Sequence, residues 1–242
     1  MNRTQIQFLG HATFKITTPE GKSIIVDPWL INNKFIPEEY KNQPKIDLML
    51  VTHGHDDHFD NKIVDLIDQY QPKVIANSIC RWYLLEEGVN SKLIEPLNLG
   101  GTISLLDVKV SMVNAFHLSH INITNTKIDY PHAANGYILQ LSDDVRIYFA
   151  GDTSIFGDMK LIAEIYKPTI AVLPIGDRFT MGPLEASHAI RMLDVKHVIP
   201  FHYGTYPFLT GTPEELVKLT SDIEGLTIHA LKAGEMLDCG NL

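Results

Sequence analysis

The 242-residue sequence predicts an α+β fold, built as one domain over residues 1–242. Two observations carry this expectation. Short apolar runs bounded by turn residues alternate with stretches whose apolar residues recur at helical spacing, most cleanly from Met159 onward. In addition, His53, His117, Asp152, Arg178 and His202 each stand at or just beyond the C-terminal end of a predicted apolar strand. Ligands in α/β proteins collect at that edge of a sheet, so both halves of the chain are expected to contribute to one site.

Taken in order, Gln5 to Leu9, Ala12 to Thr17 and Ser23 to Val26 read as strands, with Pro19-Glu20-Gly21 as a turn between the last two. Residues 28–46 show no strong periodicity. Their aromatic residues, among them Trp29, Phe35 and Tyr40, belong either to a binding loop or to small core anchors. Leu48 to Val51 is a short buried strand, and Ile63, Leu66, Ile67 and Tyr70 predict a helix that begins near Phe59. A strand over Val74 to Ala76 and a helix over Ser78 to Glu87 follow, the helix stopping at Gly88. Strands are expected over Thr102 to Leu106 and Lys109 to Phe116, then a polar, turn-rich segment over 121–136, then strands over Tyr137 to Leu141 and Val145 to Ala150. The last third reads helix (Met159 to Tyr166), strand (Thr169 to Leu173), helix (Ala186 to Leu193), strand (His197 to Phe201) and a final helix. That helix opens on Thr212-Pro213-Glu214-Glu215, a capping box with Pro at its first position.

The chemistry concentrates in His53-Gly54-His55-Asp56-Asp57-His58, directly after the strand Leu48 to Val51. Clustered imidazoles and carboxylates suit zinc, iron or manganese better than calcium or magnesium, which take oxygen ligands. Gly54 permits the tight turn that lets His53 and His55 converge. Asp152 follows Gly151 at a strand end, a position that suits a carboxylate shared by two cations. Arg178 lies just before Gly182-Pro183, where a helix start could offer free amides to an anion.

The bulk numbers narrow the function classes. A formal net charge of −9 argues against a nucleic-acid partner, and no apolar stretch reaches the roughly 18 residues that suggest a membrane span. Met1 to Phe8 lacks the apolar region of a secretory signal, and Cys80 and Cys239 are the only cysteines. A cytoplasmic protein with reduced thiols is the expectation. Homo-oligomerisation is left open.

His53-x-His55-x-Asp57-His58 resembles the signature of the metallo-β-lactamase superfamily. The resemblance extends from Gly10-His11 through Asp27-Pro28-Trp29 and Gly151-Asp152-Thr153 to Pro200-Phe201-His202-Tyr203-Gly204. The segment from Leu173 to Pro183 is similar to that of a group of uncharacterised prokaryotic metal-dependent hydrolases related to ascorbate-6-phosphate lactonases. It implies a four-layer αββα sandwich. It also implies two divalent metal ions, preferably zinc, with manganese or iron as alternatives. The first ion would take His53, His55 and His117, with His120 as the rival for the third place. The second would take Asp57, His58 and His202, with Asp152 bridging and Asp27 supporting the histidines from behind. His11 is placed near the cleft, either in the site or as a structural residue.

The expected activity is dinuclear, metal-dependent hydrolysis of a small ester, lactone or phosphate-bearing substrate, with a metal-bound hydroxide as nucleophile. Asp57, Asp152 and Tyr203 are the candidate catalytic residues, and Trp29, His120 and Arg178 the candidate substrate contacts. A phosphodiesterase or nuclease, a di-iron redox enzyme and a non-catalytic metal-binding protein are the alternatives. His188 is expected to face solvent, and His197 and His229 to be structural.

Overall fold

The computed structural model describes residues 3–123 and 128–242. The first half forms strands β1 (Gln5–Gly10), β2 (Thr13–Thr17), β3 (Ser23–Val26), β4 (Leu48–Val51), β5 (Lys73–Ala76) and β6 (Ile94–Pro96). Helices α1 (Glu38–Lys41), α2 (Ile63–Tyr70) and α3 (Ser78–Glu86) lie between them. The second half contributes β7 (Thr102–Leu105), β8 (Val108–Ile123), β9 (Ile128–Leu141), β10 (Arg146–Phe149), β11 (Ile170–Pro174), β12 (His197–Phe201) and β13 (Thr227–Ile228). Its helices are α4 (Met159–Tyr166), α5 (Pro183–Leu193) and α6 (Pro213–Leu219), and the chain returns as β14 (Met236–Asp238) beside β1.

The strands make two seven-stranded sheets, ordered β14-β1-β2-β3-β4-β5-β6 and β13-β12-β11-β10-β9-β8-β7. Alternation along the strands decides what each face covers. Ile24, Val26, Leu48 and Leu50 meet Val110, Leu139, Val172 and Ile199 in a core between the sheets. Ile25, Met49 and Val51 turn the other way, onto Ile63, Leu66 and Ile67 of α2. Ala171, Leu173 and Val198 likewise meet Met159 of α4 and Ala186 of α5. Helices therefore cover both outer faces, and the layers run α, β, β, α. Each fully buried Leu, Ile or Phe contributes roughly 1.5–3 kcal/mol to this packing.

Parallel pairing of β3 with β4, of β10 with β11 and of β11 with β12 brings several strand ends to one edge. Across the two sheets, the Tyr137 hydroxyl donates to the Val51 carbonyl at 2.7 Å, which ties β9 to the end of β4. Asn77 caps α3 by accepting from the Ile79 and Cys80 amides, while its own Nδ2 lies 3.4 Å from the Thr52 carbonyl.

Three sequence expectations change. The strand expected to stop at Phe116 continues to Ile123 and pairs with β9 from Ile128, so much of the turn-rich 121–136 segment is strand, with 124–127 outside the described residues. Exposed Asn114, Phe116, Leu118 and His120 alternate with more buried Ala115, His117, Ser119 and Ile121, and a strand with one wet face tolerates that polarity. His117 therefore sits inside a strand, at an irregularity between Asn114 and Leu118 that locally re-aims the chain. Helix α2 begins at Ile63 rather than near Phe59. Asp60 is buried, accepting from the Ile31, Asn32 and Lys62 amides, and this holds the preceding residues in a turn.

The edge is held by contacts only glycine allows. A Cβ on Gly176 would stand 2.0 Å from the His202 carbonyl oxygen. Gly176→Ala is expected to destabilise the fold by about 1–3 kcal/mol through overpacking. Thermal unfolding should show a melting temperature lowered by about 2–12 °C; an unchanged melting temperature would mean that the 175–176 and 202 segments separate freely.

Candidate metal centre

The metal-type donors of the sequence converge on the shared edge. Among the described residues, three groups have donor atoms that all lie within 4.8 Å of one another. They are His53, His55 and His117; His11, Asp57, His58 and His202; and His53, His58 and Asp152. The third joins the other two. Asp152 Oδ1 lies 3.2 Å from His58 Nε2, while its Oδ2 lies 3.3 Å from His202 Nε2, 3.8 Å from His117 Nε2 and 4.0 Å from His53 Nε2.

Local backbone geometry aims these side chains. His11, Asp27 and His202 all adopt left-handed φ values, 57°, 49° and 57°, just past the ends of β1, β3 and β12. Such conformations cost on the order of 1–3 kcal/mol for a non-glycine residue and persist where the surroundings impose them. Gly151, at φ 63°, lets the chain pass close to the Asn135 carbonyl, which a Cβ would meet at 2.8 Å, and so delivers Asp152 inward.

Buried Asp27 organises the imidazoles. It accepts from the Thr52 amide at 2.8 Å, the Thr52 hydroxyl at 2.9 Å and His58 Nδ1 at 2.7 Å. The Thr52 hydroxyl spends its proton on Asp27 and so accepts from His53 Nδ1, 2.9 Å away. His53 and His58 thereby carry their protons on Nδ1 and present Nε2 lone pairs to the centre.

These residues fit divalent cations. His53 Nε2 and His117 Nε2 approach the same His55 Nδ1, at 3.1 and 3.2 Å, and one N–H there satisfies only one of them. His58 Nε2 and Asp152 Oδ1 are buried without a hydrogen bond although they stand within ion-pair range. Burial opposes a proton on His58, but the Asp152 and Asp27 carboxylates outweigh it and raise its pKa. Burial would lift Asp152, yet His202 and His58 hold it well below the ordinary carboxylate range. Burial lowers His55 to about 4, helped by the charges of His117 and His58, which leaves a neutral imidazole at pH 7. Imidazoles and ionised carboxylates together suit zinc, manganese or iron, and a bound cation would displace the extra proton that Asp152 and Asp27 draw onto His58.

A cleft of about 390 Å³ opens beside Asp57 and His202, walled by Trp29, Phe179, Tyr206 and Phe208. The 28–46 connection serves both roles that the sequence left open. Among its aromatic residues Trp29 lines this cleft, while Tyr40 packs against the core beneath the helices of the first sheet. Arg178 is exposed on the rim, its guanidinium carbon 5.7 Å from the Phe179 ring centre and 5.4 Å from that of Phe208. His120 is exposed, with its ring centre 5.0 Å from that of His55. His188 is exposed as well, and His197 Nδ1 lies 3.2 Å from His229 Nε2 at the start of β12, the opposite end of that strand from His202.

Two expectations are corrected. Tyr203 does not line the cleft: it packs against the core between the second sheet and its helices. The phenol beside the centre belongs to Tyr206, whose ring centre is 5.7 Å from that of His11. The start of α5 offers no free amide at Gly182, because Glu185 accepts from it at 3.1 Å and adds negative charge there. Residues the sequence reading passed over are Thr52, Thr205, Tyr206 and Phe208. All four lie within six residues of a nominated ligand, but that nearness does not say which way a side chain turns.

Residues 5–202 match the sequence profile described as "Beta-lactamase superfamily domain". The chain belongs to the metallo-β-lactamase superfamily. It is 46% identical over 235 residues to a UPF0173 metal-dependent hydrolase of Rubrobacter xylanophilus, covering 97% of this chain and 96% of that one. A relative of the same description from Koribacter versatilis is 42% identical over 231 residues, 96% of each chain. The solved structure of Igni18, a metallo hydrolase of the archaeon Ignicoccus hospitalis, superposes with a TM-score of 0.83 at 26% identity and 98% coverage of both chains.

Asp27 touches His58 directly and His53 through Thr52, so Asp27→Asn should weaken metal binding. The expected loss is about 10–100-fold in affinity, read by calorimetric titration of metal-free protein with zinc. An unchanged affinity would reduce Asp27 to a turn residue.

Proposed function

We propose that this metal-dependent hydrolase is dinuclear and cleaves a compact ester, lactone or phosphate-bearing molecule that carries an anionic group. The observation that carries the reading is Asp152, whose two oxygens reach imidazoles of both donor sets. His53, His55 and His117 would hold one ion, and Asp57, His58 and His202 the other, with Asp152 between them. When bound, two such ions supply an activated water and Lewis acidity at the oxygens of the scissile group.

The rest of the work falls to the chain. Trp29, Phe179, Tyr206 and Phe208 exclude water and seat the body of the substrate. Arg178, resting on two of those rings, meets the anionic group at the rim. Tyr206 replaces Tyr203 as the phenol positioned to hydrogen-bond a leaving oxygen. His120 borders the opposite side, next to His55. Two rim cations, Arg178 and Lys34, on a chain of net charge −9 suit a small anion better than a polyanionic strand. The two cysteines are free, consistent with action in the cytoplasm as one domain spanning the chain.

The test is a panel of lactones, esters, thioesters and phosphodiesters, with charged and neutral versions of each, assayed on zinc-, manganese- and iron-loaded protein. A small anionic lactone or ester should be turned over faster than any oligonucleotide. Arg178→Ala should raise KM about tenfold for the anionic substrate and less than about twofold for its neutral analogue. Efficient cleavage of RNA or DNA, or equal effects on both analogues, contradicts this reading of the cleft.

A further inference from the structure

We infer that His11 is a positioning residue of the centre: the Thr205 hydroxyl fixes its ring as the Nε2–H tautomer, and that N–H holds Asp57 in place for the second ion. The inference rests on the dinuclear reading above and assigns a role to a residue outside its donor sets.

The direction of the protons follows from the partners. His11 Nε2 lies 3.0 Å from Asp57 Oδ2, and an ionised carboxylate only accepts, so Nε2 carries the hydrogen. The ring is buried, with centres 4.3 Å from His202 and 6.1 Å from His58, beside a place that holds cations. In an imidazole with one ring hydrogen, a hydrogen on Nε2 leaves the lone pair on Nδ1. Thr205 Oγ1, at 2.7 Å, must then donate to Nδ1. The chain of donors runs Thr205 to His11 to Asp57.

The arrangement around Asp27 has the opposite sense. There a Thr hydroxyl, that of Thr52, donates to the carboxylate and accepts from His53, and the imidazole turns a lone pair toward the centre. The same pair of residue types makes a donor of lone pairs in one case and a clamp in the other. What differs is where the carboxylate sits in the chain. A His11 that bound the ion itself would need the reverse tautomer, with Nδ1–H on Thr205 and no hydrogen between Nε2 and Asp57.

The backbone keeps the clamp aimed. Gly10, at φ 141°, has the Phe35 carbonyl oxygen where a Cβ would be, 2.7 Å from the ideal position. His11 follows in the left-handed region, and its carbonyl accepts from the His202 amide at 3.1 Å. Thr205 belongs to the loop that also presents Tyr206 and Phe208 to the cleft. Two hydrogen bonds thus link the substrate-facing loop to Asp57.

The experiment has two arms. Zinc is titrated calorimetrically into metal-free wild type, Thr205→Val and Thr205→Ser, the second ion being identified as the step that Asp57→Ala abolishes. Thr205→Val should weaken that step about tenfold and leave the other unchanged, and Thr205→Ser should restore it. Equal weakening of both steps, or of neither, overturns the proposal. In the second arm, long-range proton–nitrogen correlation spectra of zinc-loaded wild type read the His11 tautomer without any substitution. A hydrogen on Nε2 is expected; a hydrogen on Nδ1 with a metal-shifted Nε2 would make His11 a ligand and refute the clamp. A wild-type titration that saturates at one ion would instead defeat the dinuclear reading, and the tautomer would still decide this one.

Discussion

The buried carboxylate of Asp27 is the fixed point on which the edge of this protein depends. An ionised carboxylate is costly away from water, and burial raises its pKa, with His58 opposing that rise. It is kept because three donors surround it: the Thr52 amide, the Thr52 hydroxyl and His58 Nδ1. Those bonds join the end of β3 to the loop that follows β4. They also decide where two imidazoles carry their protons, and so which nitrogens remain open to a cation. One carboxylate therefore connects strand pairing, loop conformation and ligand chemistry.

The centre that results is rigid on its protein side and unequal in its walls. Left-handed backbone at His11, Asp27 and His202, together with close passages at Gly10, Gly151 and Gly176, leaves these side chains few alternatives. Next to Asp57 and His202 the walls are aromatic, with Arg178 resting on Phe179 and Phe208 and Lys34 lying 5.0 Å from the Tyr206 ring centre. Beside His55 and His117 the surface is more open, and His120 is exposed.

Much of this was legible in the sequence where a local rule applied. The apolar run before His53, the helical spacing after Met159 and the capping box at Thr212 all produced the expected elements, because each is decided by residues close in the chain. The hairpin of β8 and β9 was not legible as far as it extends. Its alternation is diluted by His117, Ser119 and His120, and its pairing joins residues that no local pattern connects. The seven donor residues nominated from the sequence do lie together in the structure. Thr52, Thr205 and the inward turn of Tyr206 escaped, since threonine and tyrosine carry no spacing signature and their roles arise from contacts across the sheets. Tyr203 misled for a related reason: adjacency to His202 along the chain says nothing about which way the next side chain turns.

The central claim is that one centre holds two cations joined by Asp152. Anomalous diffraction from crystals of zinc-loaded protein tests it most directly, at the zinc absorption edge. The account predicts two peaks about 3.5–4 Å apart, with Asp152 oxygens between them and His53, His55 and His117 on one side. A single peak, or a pair with Asp152 bound to neither ion, would contradict it.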